Sequence, residues 1–157
     1  MKIRRFQQRD AHTLSELIRR TLVEVNSVDC PKEEIDFLYE RYTPEKVICN
    51  AEIGHTYVME EDGVILGTGT IFATERTGES EIVAAFLAPE AIGRGLGRRL
   101  FETLESDPLF TGAKRVWLTS SMTALKFYEK IGYTYEGGYF HRNEEDLIVM
   151  EKFPAKG

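Results

Sequence analysis

A β-like run, Ile82 to Leu87, reaches Pro89 and then three glycines at every second position, Gly93-Arg94-Gly95-Leu96-Gly97. An amphipathic run follows, with Leu96, Leu100, Phe101 and Leu104 at helical spacing. Strand, turn, glycines and helix start leave the chain few paths. Several backbone N–H groups must converge at the beginning of the helix, at the positive end of its dipole. That point suits an anion, above all a phosphate. Glycine keeps side chains out of the anion's approach, and some of these positions are expected to adopt φ > 0.

The spacing removes two classes of phosphate. A dinucleotide fingerprint places its third glycine three residues after the second, where this chain has Arg98. The end of the next expected strand, Val116-Trp117-Leu118-Thr119-Ser120, also lacks an acidic residue for a ribose hydroxyl. A nucleoside-triphosphate loop needs Gly-Lys-Ser/Thr, which is absent. On its own, a glycine triplet also fits a plain strand-to-helix turn.

At 157 residues the chain has the length of one ordinary domain, and residues 1–157 are read as such. Its 42% hydrophobic and 29% charged content is that of a soluble globular protein. No apolar stretch approaches the roughly 18 residues of a membrane span. No signal peptide is visible, so a cytoplasmic location is expected. Cys30 and Cys49 lie apart, without CxxC or nearby histidines, and read as reduced thiols rather than a disulfide or metal site. A net charge of −6 argues against nucleic acid as the main ligand and is compatible with a cationic amine. There is no Gly-x-Ser-x-Gly elbow for a serine hydrolase.

Along the chain, Lys2 to Gln7 reads as a strand, and Asp10 can cap a helix to about Asn26 with Leu14, Leu17, Ile18 and Leu22 on one face. Pro31 opens a second helix carrying Ile35, Leu38 and Tyr39; Thr43-Pro44 starts a further short turn of helix. Strands His55–Glu61 and Val64–Thr74 join at Glu61-Asp62-Gly63, a hairpin signal. The fourth strand spans Glu79–Ala88, the fifth Arg115–Thr119. A helix from Ser121 to Ile131 ends at Gly132. Tyr133–Phe140 and Asp146–Phe153 read as a closing hairpin. The order β-α-α-β-β-β-α-β-α-β-β predicts an α/β (α+β) domain: a mixed, mostly antiparallel sheet of about seven strands flanked by helices.

The segment Leu87 to Leu100 resembles the acyl-CoA signature of the GNAT superfamily of N-acyltransferases, apolar-x-Pro-Glu-x-x-Gly-x-Gly-x-Gly. Ile92 stands where that family usually has Arg or Gln. Ala124-Leu125-Lys126-Phe127-Tyr128-Glu129-Lys130-Ile131-Gly132-Tyr133 resembles its second signature, and the element order is that of a complete GNAT domain. The family often has Asn at the position of Ser121. The resemblance implies acetyl-CoA as cosubstrate, no metal, and transfer of the acetyl group to a primary amine of a small molecule or peptide. A silent acyl-CoA sensor of the same fold is the alternative. It also implies that main-chain groups near Leu87 and Ala88 hold the pantetheine arm, with Ser121 beside it. Ile92, Gly93, Arg94, Gly95, Leu96, Gly97 and Arg98 surround the pyrophosphate.

By the same resemblance Tyr128 is a general acid toward the departing thiolate; helical spacing alone would make it a packing tyrosine. A carboxylate from the fourth strand supplies the base, and Glu81, sharing a face with Glu79, is the candidate. An exposed strand-start glutamate would otherwise just be solubilising. Tyr135, Tyr139 and Phe140 fit an acceptor pocket, a dimer surface or the core. A homodimer is the default assembly.

Overall fold

The computed structural model describes residues 1–154. Seven strands form one sheet: β1 (Lys2–Arg5), β2 (His55–Glu61), β3 (Val64–Ala73), β4 (Glu79–Leu87), β5 (Arg115–Ser120), β6 (Thr134–Tyr135) and β7 (Ile148–Lys152), in the order β1-β2-β3-β4-β5-β7-β6. Neighbours are antiparallel except β4 and β5, which run parallel. The helices are α1 (Ala11–Glu24), α2 (Lys32–Arg41), α3 (Pro44–Ile53), α4 (Leu96–Glu105), α5 (Pro108–Thr111) and α6 (Leu125–Lys130). Among the described residues no helix is long and apolar enough to cross a membrane.

Local chemistry explains most of these elements. The β2–β3 turn places Asp62 at φ 51° and Gly63 at φ 79°. Both values are those of the tight hairpin turn that Asp-Gly favours. Leu14, Leu17, Ile18 and Leu22 are all buried, so α1 lays the expected apolar stripe on the sheet. On the opposite face α4 buries Leu100 and Leu104. There the backbone of β3 is bare at Gly69, where a Cβ would lie 3.1 Å from Leu104.

Three expectations need correction. The turn at Thr43-Pro44 is a full helix, α3; Thr43 Oγ1 caps it by accepting from the Lys46 N–H at 3.1 Å, with Pro44 in its first turn. α5 was not expected; the Asp107 carboxylate caps it, accepting from the Leu109 N–H at 2.8 Å. The same carboxylate binds His55 Nδ1 at 2.8 Å and accepts from the Tyr57 hydroxyl at 2.7 Å, tying the α4–α5 turn to β2. The closing hairpin shrinks to a two-residue β6, because Gly137 and Gly138 take φ 77° and 87°. Tyr139 and Phe140 therefore leave the sheet and stand 62% and 51% exposed, so neither packs in the core.

Arg115 ties the C-terminal half of the sheet together. Its guanidinium donates to Glu151 of β7 at 2.7 Å, to Glu136 after β6 at 2.8 Å and to Glu79 of β4 at 3.2 Å. Arg115→Met would leave those carboxylates without their shared cation. We expect a stability loss of about 3 kcal/mol by urea denaturation at pH 7; a change below about 0.5 kcal/mol would refute the hub role.

Candidate active site

β4 and β5 pair only from Glu79↔Arg115 to Glu81↔Trp117 and then part. Beyond that point the β4 edge facing β5 has no strand to bond. β4 is also bulged: Val83 faces Thr70 while Phe86 faces Thr68, so β4 carries one extra residue, and Ala84 sits at φ 54°. The parted strands open a cleft of about 460 Å³. Ala85, Phe86 and Leu87 form one wall, the glycine turn one end, and Ala124, Phe127 and Tyr128 around α6 the other side. Thr21, Val25 and Asn26 reach it from the end of α1.

The glycines serve two different purposes. Gly93 and Gly95 hold φ 85° and 77°, and a Cβ at either would meet nothing within 4 Å. Conformation selects glycine at both, and the space before them stays open. Gly97 is a packing residue: its Cβ would come 3.1 Å from the Phe127 ring. Gly95 is the N-cap of α4, and no side chain caps that end. Its first amides therefore face the cleft, a cradle that fits a phosphate group.

The other sequence candidates divide. Gly93, Gly95, Leu96, Gly97 and Arg98 line the cleft together with Leu87 and Ile92, the last of them 47% exposed. Arg94 turns away and donates to Glu61 at 3.0 Å. Ala88 lies outside the cleft wall: it is buried and its N–H donates to the Leu66 carbonyl at 2.8 Å. That N–H is fixed in the sheet and cannot hold a cofactor arm. The Leu87 carbonyl accepts from Thr21 Oγ1 at 2.7 Å. Ser121 stands behind the wall, its Oγ accepting from Asn26 Nδ2 at 3.4 Å. Glu90 pairs with Arg20 of α1.

Tyr128 satisfies both of its readings. Its ring packs edge-to-face on Phe101 at 5.4 Å, Phe127 at 5.5 Å and Tyr133 at 5.8 Å, yet it borders the cleft. Burial, and then the neighbouring Tyr42 hydroxyl, push its own hydroxyl well above the usual tyrosine range. Tyr42 gave no signal in the sequence. It ends α2, its carbonyl accepts from Ser15 Oγ at 2.7 Å, and its ring meets Phe86 edge-to-face at 5.7 Å. Burial raises the Tyr42 hydroxyl, and the Glu81 carboxylate adds to the rise. Tyr42 thus stands near both candidates, Glu81 and Tyr128.

Glu81 occupies the fork itself. Its cross-strand neighbours are Phe72 on β3 and Trp117 on β5, which share its face of the sheet. Desolvation there pushes the carboxyl up to about 7, against a smaller opposite pull from Lys46. Glu79, two residues back, is held by Arg115. Glu81 is the carboxyl poised near neutrality at the fork.

Residues 14–133 match the model of the Acetyltransferase (GNAT) family. The chain belongs to that family. This GNAT chain is 26% identical over 103 residues to an amino-acid acetyltransferase of Ralstonia nicotianae, covering 66% of itself and 21% of that protein. It is 28% identical over 99 residues to an IAA acetyltransferase of Azospirillum brasilense, covering 60% of itself and 65% of that protein. The chain thus spans about a fifth and about two thirds of these curated relatives. Its fold is shared with the PaiA N-acetyltransferase of Thermoplasma acidophilum, solved with coenzyme A, at TM-score 0.80, 19% identity and coverage of 97% and 98%.

The Glu81 environment has a consequence for the stability of this GNAT domain. A carboxyl at about 7 when folded, against 4.5 when free, binds more protons in the folded state across that window. Stability should fall as pH rises from about 4.5 to about 7, by roughly 3 kcal/mol from this group. Glu81→Gln should remove that fall. Urea midpoints at pH 4.5 and 8 check it: the gain from E81Q should be present at pH 8 and vanish at pH 4.5.

Proposed function

We propose that this chain is an acetyl-CoA-dependent N-acetyltransferase that transfers acetyl to a primary amine by direct attack within one ternary complex. The observation that carries the proposal is one cleft bordered by an open glycine-capped helix end and a buried tyrosine, with a carboxyl poised near neutrality where β4 leaves β5. Unpaired Cys30 and Cys49 suit a cytoplasmic setting.

Bound acetyl-CoA supplies the activated acetyl thioester. The amides between Gly93 and Arg98, with the Arg98 guanidinium, hold the pyrophosphate. The exposed main-chain edge of β4 up to Leu87 aligns the arm, and an N–H on that edge polarises the acetyl carbonyl. Asn26 steadies the arm from the end of α1, held from behind by Ser121. Glu81 accepts a proton from the acceptor's ammonium, leaving a neutral amine able to attack. Tyr128 donates its phenolic proton to the departing sulfur. Its raised hydroxyl stays protonated through the working pH range, as an acid must. Placing both substrates at the fork removes the entropy cost of their encounter.

Free thiol release from acetyl-CoA over a panel of amines tests the proposal. The rate should rise with pH through about 7 and lose that rise in Glu81→Gln. Tyr128→Phe should lower kcat by about 10²-fold with little change in CoA affinity. CoA binding with no turnover on any amine, and no effect of Y128F, would instead establish a silent acyl-CoA module.

A further inference from the structure

The charged residues lining the cleft at the glycine turn are of one sign. Among the described lining residues they are Arg98, in the first turn of α4, and Lys130, the last residue of α6; no carboxylate joins them. The chain as a whole carries a net charge of −6, so this wall departs from its surroundings. Both cations are exposed, and among the described residues no ion pair engages either. The nearby acidic residues in the sequence leave them so. Glu102, one turn along α4 from Arg98, makes no ion pair, and Glu129 accepts from the Tyr135 hydroxyl at 2.7 Å.

The two cations adjoin one contact between helices. Gly97, immediately before Arg98, meets Phe127: a Cβ there would come 3.1 Å from the ring. Phe101, one turn further along α4, meets the same ring edge-to-face at 5.7 Å. Lys130 follows Phe127 by three residues and shares its face of α6. Side chains on a helix lean toward its N-terminus, so the Lys130 stem is directed back over Phe127, the residue that touches Gly97. The stem is long and flexible and ends in a compact point charge.

The amides at the start of α4, with Arg98, answer one anion, the diphosphate of the cofactor. Lys130 offers a second anion a separate partner on the other helix. Sites for a ribose with free hydroxyls use a carboxylate, whereas a phosphorylated ribose calls for a cation. The lining of this cleft supplies the cation and no carboxylate. We propose that Lys130 binds the phosphate monoester on the ribose of CoA, so that this chain selects CoA over 3′-dephospho-CoA. The proposal rests on the acetyl-CoA reading for the identity of the ligand. It extends that reading to the nucleotide end, where no chemistry takes place.

Titration calorimetry of the full chain with CoA and with 3′-dephospho-CoA tests the assignment without turnover. CoA should bind about tenfold more tightly, as one charge-assisted contact would give. That preference should shrink as salt is raised, because Lys130 is exposed. Lys130→Gln should weaken CoA alone and bring the two affinities together; circular dichroism confirms that the variant is folded. Lys126→Gln, on the same helix but outside the cleft lining, should leave the preference intact. In thiol release, K130Q should raise the KM for acetyl-CoA. A CoA preference lost in K130Q, with no thiol released to any amine, would uphold Lys130 and overturn the transferase reading. Thiol release with equal affinity for the two cofactors would keep the transferase and overturn the assignment of Lys130. A folded K130Q that weakens both cofactors alike, or neither, would also overturn it, and binding of neither cofactor by the unaltered chain would overturn both readings.

Discussion

The separation of β4 from β5 after Glu81↔Trp117 is the constraint on which the rest of the molecule depends. Parallel strands normally continue their ladder, and leaving a main-chain edge unpaired inside a sheet is costly. Here that edge borders the cleft. α1 reaches across from one side through the Thr21–Leu87 bond, and the glycine turn closes the end. Glu81 sits at the point where the two strands part, so one topological break both opens the cleft and sets the surroundings of that carboxyl.

Several arginines are already engaged by carboxylates. Arg94 is bound to Glu61, Arg20 to Glu90, Arg4 to Asp10 and Glu60, and Arg115 to its carboxylates. At the glycine turn the oriented amides of the α4 start are what the fold itself offers an anion, with Arg98 beside them. Main-chain donors are fixed in place by the fold and lose no side-chain freedom when a ligand arrives. Ile92, with about half its surface in solvent, adds no charge there.

Features governed by local chemistry were legible in the sequence. The Asp62-Gly63 turn, the glycines at 93 and 95, the apolar stripe of α1 and the Gly132 terminus with φ 102° follow from backbone sterics and periodicity within a few residues. The start of α3 was legible at Thr43-Pro44, but its length was hidden because its buried residues, Val47 and Asn50, form too sparse a stripe. α5 is one turn held by a carboxylate that also serves β2, a partnership fifty residues distant in sequence. The sixth strand ended early where two glycines took left-handed conformations, although the flanking aromatics favour β structure. Within the site, Tyr128 and Glu81 were visible as residue types in a pattern. Tyr42, Thr21 and Asn26 were not, because each enters from a helix end whose position only the tertiary packing fixes. Arg94 and Ala88 find partners that the sequence did not suggest: Glu61 of β2 takes the Arg94 guanidinium and Leu66 of β3 the Ala88 N–H.

The bulge at Ala84 also bears on how the chain must fold. Side chains alternate across a strand, so a slip of one residue in β4 would turn Glu81 into the packed interior and bring Ile82 out into the slot between Phe72 and Trp117. The extra residue lets the two halves of β4 keep different registers against β3, each satisfied on its own side of the bulge. The left-handed backbone at Ala84 thus works as a registration mark. It separates a segment that must align with β5 from one that must not, and a chain that fails to form it would assemble a sheet of the right topology with its chemistry facing the wrong way.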